Sequence, residues 1–130
     1  MNSSLPQETV DKIAQERSHF ATAPSAFFQA WKHGVAIAGP RLFGDGTRES
    51  WERSNDKWDL CPNTSLIKRS IGAMSSGEKV FLAAMVSFYN SRDGGALLKR
   101  AGVEGLADLG GLDLGRRQVI AALILHYNGW

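Results

Sequence analysis

Cys61 and three histidines, His19, His33 and His126, are the side chains of this 130-residue chain best suited to act as nucleophile, base or metal ligand. Their spacing argues against such work. No histidine belongs to an H-x-x-x-H or H-x-x-E pair, the patterns that put two ligands on one helical face. Cys61 precedes a proline, with no nucleophile signature around it. The expectation is a protein with no catalytic residues, no metal and no cofactor. A small hydrolase or transferase, built from Cys61 and a histidine brought near it in space, is the enzymatic alternative. "GPRLFGDGT" has the glycine spacing of a phosphate loop at Gly39 and Gly44, but Asp45 stands where a lysine is required. A carboxylate there repels phosphate, so the stretch reads as a Gly-rich turn.

Recognition chemistry is better represented. Leu42, Phe43, Trp51 and Trp58 are interleaved with Arg41, Arg48, Arg53 and Lys57. Tryptophan and arginine are the side chains most enriched at binding hot spots. Phe43, Arg48, Trp51, Arg53 and Trp58 are therefore candidate partner-binding residues. The competing reading folds the tryptophans over the core as a cover. Arg116 and Arg117 join the candidates because they fall in the first turn of a helix, where a cation costs roughly 0.3–1 kcal/mol. A charge kept at an unfavourable place is a candidate for a partner, against the plainer reading of a solvated and nearly neutral surface charge.

Charge defines the runner-up. The chain carries a net +2, divided as −1 over residues 1–62 and +3 over residues 63–130. The pairs Lys68-Arg69, Lys99-Arg100 and Arg116-Arg117 all lie in the second half. An accessory protein that holds nucleic acid weakly and without sequence preference is the alternative they support. A helix-turn-helix over 65–90 is a poor fit, since its second helix offers only Glu78, Lys79 and Ser87 to base edges.

These residues must be positioned by helices. Ser4 and Gln7 have the form of a capping box, and Val10, Ile13, Ala14, Arg17 and Phe20 recur at helical spacing over 5–20. Pro24 suits the first turn of a second helix, with Phe27, Ala30, Trp31, Gly34, Val35 and Ala38 as its stripe and Gly39-Pro40 as its stop. Residues 39–63 read as an irregular Gly/Trp-rich connection with a short helix near 47–57. A helix resumes after Asn63, and Ser75 with Glu78 forms a second capping box. Asn90 is read as a left-handed helix stop. A short helix runs from Asp93 to Gly102, one more turn falls at 104–109, and Asp113 caps the last helix. No stretch alternates cleanly, so no sheet is expected.

Two of these helices repeat. "VFLAAMVSFYN" from Val80 and "VIAALILHYNG" from Val119 align at an offset of 38, with Ala83 over Ala121, Ala84 over Ala122 and Tyr89 over Tyr127. Both are apolar on most of their circumference, which predicts burial on several sides. The expected fold is all-α: a single domain over 1–130, with five to seven helices around a central pair, 77–89 and 115–127. A lone cysteine, a polar N-terminus and no apolar run of bilayer length point to a cytoplasmic protein with no membrane span. The chain's economy suggests a bacterial source. The function read from these residues is non-enzymatic: binding another protein in a regulatory, inhibitory or accessory role.

Overall fold

The computed structural model describes residues 5–130. It is all-helical, with six α-helices: α1 (Gln7–Ala38), α2 (Arg48–Arg53), α3 (Thr64–Ser70), α4 (Ser76–Tyr89), α5 (Ser91–Arg100) and α6 (Leu114–His126). Short 3₁₀ segments at Pro40–Leu42, Lys57–Leu60, Ile71–Ala73 and Leu106–Gly111 lie between them. Among the described residues the only strand-like pairing is one antiparallel bridge, Phe43 with Pro62.

The first two predicted helices are one. Pro24 lies inside α1, where it removes a backbone donor at a cost of about 3 kcal/mol. Burial on the same helix outweighs that cost. Ala23, Phe27, Phe28, Trp31 and Val35 are buried on either side of the proline's turn. Two residues before Pro24, Thr22 Oγ1 donates to the carbonyls of Ser18 and His19. The box proposed at Ser4 lies outside the described residues; Gln7 instead donates to Asp11 Oδ1. Gly39, at φ +118°, ends the helix with its N–H on Val35 O.

The connection after α1 is folded inward rather than irregular. Gly44 N–H bonds Cys61 O and Asn63 N–H bonds Leu42 O, each at 2.8 Å, closing a loop whose Leu42, Phe43 and Leu60 are all in the core. Thr47 caps α2, and Asp45 accepts from Thr47 and Ser50 to fix the turn.

α4 is the central helix, buried from Val80 through Val86. Ser75 and Glu78 form the capping box at its start. Asn90 is not left-handed: at φ −147° its side chain accepts from Asp93 N–H, so it caps α5 rather than stopping α4. α5 folds straight back on α4. The pairing of α4 with α6 differs from the expectation. α6 lies chiefly along α1 and touches α4 less. Gly34 is the meeting point, where a Cβ would press on Met85 of α4 and Val119 of α6. α6 buries Val119, Ile120 and Leu123 but leaves Leu114, Ala121, Ile124 and Leu125 exposed. The repeated sequence therefore fills two different environments.

Acidic caps tie several of these turns. Hydrogen bonds hold Asp45, Glu78, Asp108 and Asp113 below their ordinary carboxylate values, through Ser50 and Thr47, Ser75, the Glu104 and Gly105 N–H groups, and Arg116 respectively. A carboxylate lowered on folding stabilises the fold above its unfolded value and stops doing so as pH falls through the folded one. The melting temperature is thus expected to fall as pH drops below about 4. Asp113→Asn should flatten that slope in pH-dependent thermal melts. An unchanged slope would remove the caps as its cause.

A candidate recognition cleft

Trp58 is held out from the surface by a tightly tied turn. Asp56 accepts from Trp58 N–H at 2.8 Å, and Asp59 Oδ2 accepts from Asn55 and Asp56 N–H. The end of the turn is anchored where Trp31 Nε1 donates to Leu60 O at 2.9 Å in the core. Local capping thus closes the loop, and one buried hydrogen bond fixes it to α1. With its backbone fixed, the Trp58 side chain remains 61% exposed.

Beside it, Lys57 Nζ donates to Gly129 O at 2.8 Å and sits over the rings of Phe27 and Trp130. Burial pushes its pKa down, partly offset by Asp56. Trp130 packs its ring against Trp31, Tyr89, Phe27 and Trp58. Trp130 therefore pins the 127–130 segment to the bundle.

Between this turn and α1 lies a cleft of about 390 Å³. Phe27, Phe28 and Pro24 line it from α1, Trp58, Lys57 and Asp56 from the loop, and His126 from the end of α6. Its volume is in the range of sites that take a small ligand or a side chain. His126 stacks on His19 with ring centroids 5.0 Å apart, and its Nδ1 is without a partner among the described groups.

The other candidates divide. Phe43 is a correction: only 1% exposed and packed edge-on against Trp31, it is core and unavailable to a partner. Trp51 is half-buried, with Nε1 bonded to Lys32 O and its ring beneath Lys32 and Arg48, so it ties α2 to α1 as a cover. Arg48 and Arg53 are exposed on α2. Arg48 pairs with Glu52 one turn on.

Arg116 and Arg117 are held by their own chain. Arg116 pairs with the capping Asp113 and lies over Phe81. Arg117 donates to Leu112 O and Gly110 O, satisfying carbonyls at the end of the preceding 3₁₀ turn. That explains cations in a first helical turn without a partner. Arg100 donates to Lys68 O, and Lys68 pairs with Asp93. Much of the expected basic surface is thus engaged internally. The α4 helix, buried along its middle, has no free face to read a groove.

Cys61 lies among Trp58 O, Tyr89 and Trp130, and burial raises its thiol pKa, the opposite of nucleophile activation. Among the described residues no group of three His, Cys, Asp or Glu side chains is placed to hold a metal. None of the described helices is long and apolar enough to cross a membrane. No protein-family model, curated protein or solved structure matches the chain. Sequence reading missed Pro24, Phe28, Lys57 and His126, whose shared cleft is formed by segments far apart in the chain.

Proposed function

We propose that this chain is a non-enzymatic recognition module that holds another protein through the Trp58 cleft, in a regulatory or accessory role. The observation that carries the reading is the large aromatic side chain of Trp58, exposed on a rigidly tied turn, beside a cleft floored by Phe27 and Phe28. A rigid aromatic beside an apolar pocket is the usual form of a binding anchor, and ordering it costs little because the backbone is already fixed. An apolar side chain of the partner fills the cleft. Asp56, Lys57 and His126 at its edge hydrogen-bond polar groups of the partner that flank that side chain. A single cysteine, with no second one to form a disulfide, suits a reducing interior, and the setting we propose is cytoplasmic and bacterial.

The test is affinity capture from host extract, followed by titration of the captured partner against variants. Trp58→Ala should weaken binding about 30-fold or more, the scale of a hot-spot loss. Its melting temperature should stay close to that of the unaltered chain, because the ring is mostly in water. Ser25→Arg, which fills the cleft from α1, should do the same. Full affinity in both variants would overturn the assignment of this surface.

A further inference from the structure

The first third of α1 leaves the body of the protein. From Gln7 to Thr22 only Thr9 and His19 are even half-buried; the first buried residue is Ala23. His19 marks the point of departure: its Nε2 donates to Leu125 O at the end of α6, and Phe20 packs edge-on against its ring. Before His19, α1 continues for about three turns with no neighbouring helix, and a free helix of that length is marginal in water.

That extension is apolar on one side. Val10, Ile13, Ala14 and Arg17 line a shallow groove with Leu5. Eighteen residues are five full helical turns. Val10, Ile13 and Arg17 therefore stand on the same face as Phe28, Trp31 and Val35, which α1 buries in the core. The core-facing stripe runs on past the body, uncovered.

The charges on the extension say what covers it. Asp11-Lys12-Ile13-Ala14-Gln15-Glu16-Arg17 reverses sign about its centre, Ala14. Under a two-fold axis at Ala14, with helices antiparallel, Lys12 comes level with Glu16 of the second copy and Asp11 with Arg17 of the second copy. Arg17 stands on the apolar stripe and Asp11 at its edge, so this pair meets across the seam, twice over, while Lys12 and Glu16 lie on the far face of the helix. Lys12, Glu16 and Arg17 form no salt bridge among the described residues. The small Ala14 at the crossing lets the backbones approach.

We infer that two copies of this chain associate through antiparallel pairing of their α1 extensions, crossing at Ala14. The exposed apolar surface of Leu5, Val10, Ile13, Ala14 and Phe20 comes from five side chains on one helix, fewer than the ~20–30 residues a side of a standard interface. The dimer is accordingly weak and concentration-dependent.

Sedimentation equilibrium from 1 to 500 µM tests it. The expected result is a rise from 14.2 kDa toward twice that mass with protein concentration. Ile13→Asp should hold the chain at the monomer mass throughout, with unchanged circular dichroism over the body. Arg17→Glu should weaken association at least tenfold, and adding Asp11→Arg should restore it. In a Cys61→Ser background, Ala14→Cys should form a disulfide-linked dimer under mild oxidation and Gln7→Cys should not. A monomer at every concentration overturns the inference. So does a dimer indifferent to Ile13→Asp, or one cross-linked through Gln7→Cys, since either means another surface. Trp58→Ala leaves the dimer intact in every case, which keeps this result separate from that of the cleft.

Discussion

Gly94→Ala is expected to destabilise the chain by about 3 kcal/mol or more, at the upper end of overpacking penalties. In an isolated helix the same change would be favourable, because alanine is the better helix former. Here α5 crosses α4 so closely that a Cβ on Gly94 would sit less than 3.0 Å from the Cα, N and Cβ of Ser87. Two of those atoms are backbone, so no side-chain rotation relieves the overlap. The helices must separate, and the Leu97 side chain leaves its buried seat as they do. Gly95 provides the control. It is the next residue of α5, exposed, and a Cβ there meets nothing within 4 Å. Gly95→Ala should therefore stabilise by about 0.5–1 kcal/mol. Thermal melts should show Gly94→Ala lower by about 10 °C and Gly95→Ala slightly higher. Equal melting temperatures for the two variants would show that α4 and α5 are not in backbone contact at this point.

What the sequence discloses of the fold depends on range. Caps are local, and the pairings of Ser75 with Glu78 and of Asp113 with the start of α6 are readable from three or four residues. Pro24 misleads because its penalty is local while its compensation is not: the rings that keep α1 continuous find their partners across the core. Asn90 misleads for a related reason. The same side chain suits a helix stop or a helix start, and only the immediate return of α5 decides between them. The repeat misleads most instructively. Two helices equally rich in apolar residues need not be equally buried, because burial of the second is set by how many neighbours reach it. α6 is flanked by α1 on one side and meets water along Ala121 and Leu125.

The cleft divides along the same line. Trp58 is legible by residue type, as a tryptophan in a turn-rich segment. Phe43 and Trp51, of the same type and the same segment, are drawn inward by contacts that no local pattern records, the Phe43–Pro62 bridge and the Lys32 carbonyl. Arg117 stands at an unfavourable helix position for a reason found five and seven residues upstream, in carbonyls at the end of a 3₁₀ turn, and Arg116 for its pairing with the capping Asp113. A charge misplaced with respect to one helix is well placed with respect to the turn before it.

Trp31 is where fold and cleft are joined, and its substitution carries the second large effect. Its ring is fully buried, and its indole N–H is the donor for Leu60 O, itself in the core. Trp31→Ala removes the ring from beneath Phe43 and Trp130 and should cost about 3–5 kcal/mol. Trp31→Phe is more informative. It keeps most of the apolar volume but strands the Leu60 carbonyl without a partner, at about 1–3 kcal/mol. That carbonyl ends the turn that carries Trp58, so the loss falls on the loop as well as on the whole. Amide exchange at 57–60 should accelerate in Trp31→Phe beyond what the drop in global stability accounts for, while exchange in the middle of α4 follows global stability alone. Partner binding should weaken with it, although Trp58 itself is unaltered. If exchange at 57–60 merely tracks that of α4, the hydrogen bond from Trp31 does not position the loop, and the rigidity of the Trp58 anchor must come from its own Asp56 and Asp59 caps.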